Sequence, residues 1–465
     1  MADSATERAD WAELVRSGQV AQFAILCLGI WLHAADSLLV ATAMPKAVAE
    51  IGGGHLVSWT LSLYLLGSIL SGAAAALTAS AFGLRRAFVA AAATYAAGCA
   101  VSALAPDMIA MLAGRFVQGI GGGLLVALTY VAIQRLFAEA MWPRLIGVMS
   151  AVWGASAFCG PLIGGFFADL GLWRWGFWAF AAQALALCVL VPLLMRPGAP
   201  AAVAPPGRVP LARLAILSLA MLAVAGAGVV VAPATSLPML TLAALAFAWF
   251  LRRDAARGAE RMFPSGAFDM RTTLGAGFLA NLALGTAAMS FTVYGPFLLA
   301  ALHGVSALGA GYMIAAESVG WSTMAVVFAG ASPQVERWLI RFGAATVTGA
   351  ILALGLVMPV GPLWLIVMLA AAKGGGFGAL WGFVVRRTIA AAPAAERDCA
   401  SSAMPTTQQI AFMLGASLAG IVANAAGFAE GIDPAAAAGV AFWVFAAFVP
   451  VGLVGTAAAW RVSAR

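Results

Sequence analysis

Residues 112–123 read LAGRFVQGIGGG, and the next apolar stretch ends in CGPLIGG at residues 159–165. The first segment places Arg115 inside an apolar run, with Gln118, Gly119 and Gly121 following on the next turn. The second belongs to a longer pattern: Gly147, Ser156, Gly160, Pro161, Gly164 and Gly165. On a helix these small residues line one face, so a neighbouring helix can approach backbone to backbone. Pro161 removes one helical hydrogen bond and bends the chain there. Taken alone, the spacing fits tight packing of two membrane helices equally well with or without transport.

The rest of the chain sets the context. Of 465 residues, 63% are hydrophobic and 9% charged, against roughly 25% charged in soluble domains. This is an integral membrane protein. Apolar runs near twenty residues mean helices rather than barrel strands, hence an all-α fold. Fourteen runs centre on residues 20–44, 57–80, 86–105, 108–134, 144–168, 174–195, 211–231, 234–251, 273–300, 306–330, 340–360, 363–385, 405–428 and 435–460. All but four of the 25 lysines and arginines fall in turns and tails on one side of this arrangement. Lys46 and Arg174 fall on the other side, and Arg115 and Lys373 within helices. The positive-inside rule then puts both termini in the cytoplasm. The net charge of +7 serves topology and does not indicate a nucleic-acid partner. Abundant alanine with only two lysines suits a GC-rich bacterial genome and hence the bacterial inner membrane.

Composition shifts mark the boundaries. Residues 1–19 read as a cytoplasmic tail without a cleavable signal pattern, and residues 20–197 as a six-helix half. The stretch 198–262 holds a proline-rich linker and an inserted helix pair, and residues 263–465 form a second six-helix half. Charge parity cannot separate fourteen helices from twelve. The length and apolarity of residues 211–251 favour fourteen. The five cysteines show no metal-ligand spacing and read as small buried hydrophobes. No Ser/His/Asp triad, metal cluster or nucleotide loop is visible, so neither an enzyme nor a cofactor is expected. Lys373-Gly-Gly-Gly-Phe-Gly lacks phosphate-loop spacing and reads as close helix packing that echoes Gly121-Gly-Gly.

The pattern from Gly147 to Gly165 resembles the antiporter signature of the major facilitator superfamily, with Ser156 where that signature has glycine. Arg115-x-x-Gln118-Gly119 is similar to the superfamily's fourth-helix motif. Asp36-Ser-Leu with Thr42-Ala-Met-Pro45, Ser58-Trp59 with Tyr64-Leu-Leu, and the segment 172–177 (LWRWGF) resemble motifs of its 14-helix drug:proton antiporter branch. One turn departs: residues 76–86 read ALTASAFGLRR, with Ser80 at the usual aspartate. The resemblance thus leaves Arg85 and Arg86 as anchors of the turn and puts the family's charged latch in question. It implies two six-helix halves around a central path bounded by the first, fourth, ninth and twelfth runs. It also implies alternating access and proton coupling through an acid in the first helix, Asp36.

Four charged residues fall inside apolar runs: Asp36, Arg115, Glu317 and Lys373. Each costs roughly 2.5–3.5 kcal/mol near a helix centre, so pairing is expected, Asp36 with Arg115 and Glu317 with Lys373. Such pairs either lock helices or carry a titrating carboxylate, Asp36 or Glu317. His33 shares a helix face with Asp36, where it either tunes that charge or packs as a satisfied polar residue. Aligning Tyr64-Leu-Leu-Gly67 with Glu317-Ser-Val-Gly320 makes these segments repeat equivalents. The expectation is therefore a monomeric, proton-coupled exporter of amphiphilic or apolar small molecules, working with protons and the bilayer. The alternatives are an exporter of a cell-made lipid or metabolite, and a non-transporting scaffold or sensor.

Overall fold

The structure, a computed structural model, describes residues 18–138, 141–195, 210–229, 232–258, 261–428 and 434–464. All but the last residues of the N-terminal tail and of the proline-rich linker lie outside them. A hydrocarbon surrounding offers no water to backbone N–H and C=O groups, so each must find a partner in the protein, and the described residues answer with helices alone.

The first six runs form α1 (Val20–Ile51), α2 (Val57–Gly72) with α3 (Ala75–Phe82), α4 (Leu84–Leu104), α5 (Met108–Leu136), α6 (Trp142–Asp169) and α7 (Trp173–Leu194). The next two form α8 (Leu211–Gly226) and α9 (Pro233–Ala255). The last six form α10 (Thr273–His303), α11 (Ala307–Val327), α12 (Pro333–Val357), α13 (Leu363–Ala390), α14 (Arg397–Ala425), and α15 (Pro434–Ala446) with α16 (Val449–Ser463). Side-chain caps begin several of them: Asp107 accepts from Ala110 N–H, Thr272 from Gly275 N–H and Ser306 from Gly309 N–H.

A helix thus stands at each of the fourteen runs. Span length is a stricter test. Among the described residues, eleven helical spans, α15 with α16 counted as one, are long and apolar enough to cross a bilayer, or twelve when α2 and α3, bent by 52°, also count as one. Two fall outside that set. α8 has 16 residues, about 24 Å at 1.5 Å per residue, short of a ~30 Å core. α11 intersperses its apolar residues with Glu317, Ser318, Ser322 and Thr323. Large apolar side chains face outward elsewhere, among them Leu104, Ile109, Leu193 and Trp364, as a lipid-solvated surface requires.

Alanine and glycine fill the interior, which brings the helices close. α5 is pinned on both sides: a Cβ at Gly119 or Gly123 would collide with α2, and one at Gly121 or Gly114 with α4. α10 is buried along nearly its whole length and forms the centre of the second half. Among the described residues the two halves meet chiefly along two helix pairs. α2 contacts α14 through Ser62 and Ser417, 3.0 Å apart, and through Ser68 and Gln409. α6 runs antiparallel to α11. The inserted pair, α8 and α9, is tied at its ends by Arg213–Asp254 at 2.6 Å, and Asp254 also accepts from the N–H groups of Met262 and Phe263. Asn424 on α14 holds the far end through the Gly228 carbonyl.

Candidate functional site: two buried ion pairs and a glycine gate

In the first half, Asp36 on α1 and Arg115 on α5 are fully buried, with Nη1 of Arg115 2.7 Å from Oδ2 of Asp36. Gln118, one turn along α5, donates to the same oxygen at 3.2 Å and accepts from Ser102 on α4 at 2.9 Å. The Arg115 guanidinium lies 4.2 Å from the centre of the Tyr64 ring and donates to the Thr60 carbonyl. The Tyr64 hydroxyl in turn stands 2.9 Å from both the carbonyl oxygen and Nδ1 of His33. One network therefore joins α1, α2, α4 and α5. His33 is part of it through Tyr64. Oδ1 of Asp36 and Nη2 of Arg115 are buried and have no hydrogen-bond partner. The carboxylate retains capacity for a proton or a further donor.

The second half repeats the theme in different helices. Lys373 on α13 is fully buried, 2.8 Å from Oε1 of Glu317 on α11, and donates to the Ala288 carbonyl of α10 at 2.8 Å. The Glu317 side chain is 17% exposed, whereas Asp36 has no exposure. Its Oε2 also lacks a partner.

Backbone contacts fix how the halves correspond. Gly67 abuts the Phe116 carbonyl, Gly119 abuts Tyr64 and Gly123 abuts Ser68. Gly320 likewise abuts the Ala371 carbonyl, Gly374 abuts Glu317 and Gly378 abuts Trp321. The α2–α5 and α11–α13 pairs therefore pack in one register, in which Tyr64 matches Glu317 and Gln118 matches Lys373. Arg115 corresponds to Ala370, not to the lysine. The internal symmetry holds for the backbone and is broken in the charges.

The gate pattern lies on α6. A Cβ at Gly160 would strike the Ala35 carbonyl, and one at Gly164 the Leu39 carbonyl and Thr42 hydroxyl, all on α1. Gly165 faces Ala307 and Leu308 at the start of α11, and Gly311 faces the Pro161 carbonyl. Ser156 is buried and turns its hydroxyl onto the Val152 carbonyl of its own helix, so it fits where glycine is usual. Gly147 is different: nothing lies within 4 Å of a Cβ built there. α6 and α11 therefore touch over one half of their length and part over the other, where residues 322–327 are all exposed or nearly so.

The turn of residues 76–86 shows its departure in atoms. Arg135 at the end of α5 donates to Ser80 Oγ at 3.2 Å, a bond to a neutral hydroxyl where the resemblance implied an ion pair. Arg85 is half-buried and Arg86 exposed, and neither forms an ion pair among the described residues. A charged clasp does exist in the second half. Glu336 at the start of α12 is buried and accepts from Arg386 and from Arg387 Nε (2.6 Å) at the end of α13. Sequence reasoning placed these arginines in an inner turn and missed their partner.

Along the central path expected between the first, fourth, ninth and twelfth runs (α1, α5, α10 and α13), Asp36, Arg115 and Lys373 are fully buried, and of the four charged side chains Glu317 alone keeps some exposure. A groove of about 710 Å³ opens between α11, α12 and α13, with Phe158 at its edge and Gly320, Gly343 and Gly376 among its lining. Neither Glu317 nor Lys373 lines it.

A multi-helix membrane protein with two pseudo-repeated halves, buried charge pairs and a glycine-lined contact between halves has the build of a secondary transporter. The family model of the Major Facilitator Superfamily matches residues 26–330. A probable multidrug-efflux transporter of Mycobacterium tuberculosis (strain H37Rv) is 30% identical over 100% of this chain and 99% of its own. The multidrug transporter protein MdtP of Bacillus subtilis is 32% identical over 33% of this chain and 28% of its own. A solved peptide transporter superposes with a TM-score of 0.67 at 16% identity, over 96% of this chain and 95% of that one. A D-xylose–proton symporter does so with 0.64 at 15%, over 94% and 96%. The chain belongs to the major facilitator superfamily. It is a multi-pass membrane transporter and not an enzyme.

Proposed function

We propose that the protein exports amphiphilic or apolar small molecules from the cytoplasm in exchange for protons, by alternating access. In this reading it is a monomer of the bacterial inner membrane with both termini cytoplasmic. All fourteen helical segments cross the bilayer, α8 and α11 included. One observation carries the coupling: Asp36, with one oxygen unpartnered, sits on the stretch of α1 that touches the gate. The preceding carbonyl, that of Ala35, lies against Gly160, and Leu39 and Thr42 lie against Gly164. Neutralising Asp36 weakens its hold on Arg115, and any resulting movement of α1 acts directly on α6. Glu317 is the second candidate: its side chain is 17% exposed and its Oε2, though itself buried, has no partner. The full-length relative, named as a probable multidrug-efflux transporter, supports export of chemically varied cargo.

A second reading, export of a cell-made lipid or metabolite, draws on the groove lined mainly by apolar side chains between α11, α12 and α13. The test is efflux from proteoliposomes holding a panel of cationic amphiphiles, neutral apolar drugs and fluorescent phospholipids, with and without an imposed proton gradient. Gradient-dependent efflux of the drugs supports the proposal. Efflux restricted to phospholipid supports the second reading, and efflux indifferent to the gradient removes proton coupling.

A further inference from the structure

Pro161 has no N–H, so the carbonyl four residues earlier in α6, that of Ala157, loses its helical partner. In a membrane interior such an orphan must be satisfied by a neighbouring helix. The Ser318 hydroxyl of α11 donates to it at 3.0 Å. Ser318 directly follows Glu317, whose carboxylate holds Lys373.

This bond lies near the end of the α6–α11 contact. Successive contacts pair Gly165 with Ala307, Pro161 with Gly311, Ala157 with Ser318 and Gly154 with Ser322. That run is an antiparallel register. Past Gly154 it stops: Gly147 has no neighbour, and Val326 and Val327 are exposed. The Ser318–Ala157 bond stands where the halves begin to diverge.

We infer that Ser318 is a positioning residue: its hydroxyl closes the bond that Pro161 opens, holds α6 against α11 in the arrangement described here, and ties the gate kink to the helix carrying Glu317. The inference rests on the alternating-access reading. When the halves rock to the opposite arrangement, the contact opens and the Ala157 carbonyl meets water in the widened cleft. The hydroxyl therefore stabilises one arrangement and not the other.

The test measures arrangement directly. At the far end of the two helices Arg144, near the start of α6, and Ala329, just past the end of α11, are both exposed. Spin labels at Arg144→Cys and Ala329→Cys report the width of the open mouth in the full chain in liposomes, after replacement of the five native cysteines. None of these is in a disulfide. Ser318→Ala leaves a buried carbonyl unsatisfied, and the ratio of wide-mouth to narrow-mouth populations is expected to fall about tenfold. Ser318→Thr, which keeps the hydroxyl, is expected to restore it. In the Pro161→Ala background the helix supplies its own N–H, and adding Ser318→Ala is expected to change the ratio less than about twofold. An unchanged ratio in Ser318→Ala, or an equal loss with and without Pro161, overturns the inference. The distances need no substrate and no gradient. Should wild-type proteoliposomes export nothing, the functional reading fails while these measurements still decide the role of Ser318.

Discussion

Asp36 and Arg115 are each worth less alone than together. Breaking a buried pair by removing one partner typically costs about 3–5 kcal/mol, because the survivor is left as an uncompensated charge. Asp36→Asn keeps volume and can still accept from Arg115, yet it cannot change charge. If Asp36 carries the proton, the variant is expected to bind ligand and to lose all uphill, gradient-driven export while expressing near wild-type yield. If the pair is only a lock, yield falls instead, and joint replacement with Arg115→Gln recovers part of it. Normal uphill flux in Asp36→Asn transfers the role to Glu317, where Glu317→Gln is the matching test. The four intramembrane charges were legible in sequence because a charge in hydrocarbon is too costly to be incidental. The groups around them were not. Tyr64, His33, Thr60 and Ser102 are ordinary helix residues until the Arg115 guanidinium lies on a ring and Gln118 meets a hydroxyl. Ser318 is equally silent, since its partner is a backbone atom 161 positions away.

Glycines decide what the helices can do. Gly164 on α6 faces the Leu39 carbonyl and the Thr42 hydroxyl, while that hydroxyl donates to the Pro161 carbonyl at 2.9 Å. Leucine at this position meets backbone, which cannot turn aside, and overpacking of this kind costs about 1–3 kcal/mol or more. Gly164→Leu is therefore expected to cut export at least tenfold with the protein still present in the membrane. Gly147→Ala, where no neighbour stands within 4 Å, is expected to leave the described arrangement intact and to act only if α6 closes on α11 there. Export rates of both variants, normalised to membrane protein, check the pair; an unimpaired Gly164→Leu makes the signature incidental. Spacing of small residues made the packing faces readable, and even the repeat alignment of Tyr64 with Glu317 could be guessed. Which glycine meets which carbonyl, and hence that Lys373 matches Gln118 rather than Arg115, needed the register. The bend between α2 and α3 and the short α8 were also invisible to hydropathy, which sees one long run in the first case and an adequate one in the second.

At the scale of the molecule, the halves are held together at one end and free at the other. The clasp at the joined end includes a carboxylate that sequence reading passed over: Asp169, last residue of α6, accepts from the N–H groups of Ala307 and Leu308 at 2.8 and 3.0 Å. Those donors belong to the first turn of α11, where a helix leaves its N–H groups unpaired and favours negative charge. The bond crosses from one half to the other, so it must break whenever this end opens. Its signal in the sequence is a lone aspartate in a turn, with nothing to say that its partner lies nearly 140 residues on. Removing a capping side chain typically costs about 1 kcal/mol, a factor of roughly five in an equilibrium. Asp169→Ala is therefore expected to raise the population with this end open about fivefold and leave the charge pairs untouched. A cysteine at Ala310, 1% exposed and next to Gly311, which abuts the other half, reports that opening. Its labelling by a membrane-impermeant maleimide from the side of the α6–α7 turn should accelerate about fivefold in Asp169→Ala and little in Asp169→Asn, which keeps one acceptor. Equal labelling rates in wild type and Asp169→Ala would mean that glycine packing alone, at Gly165 and Gly311, keeps this end shut.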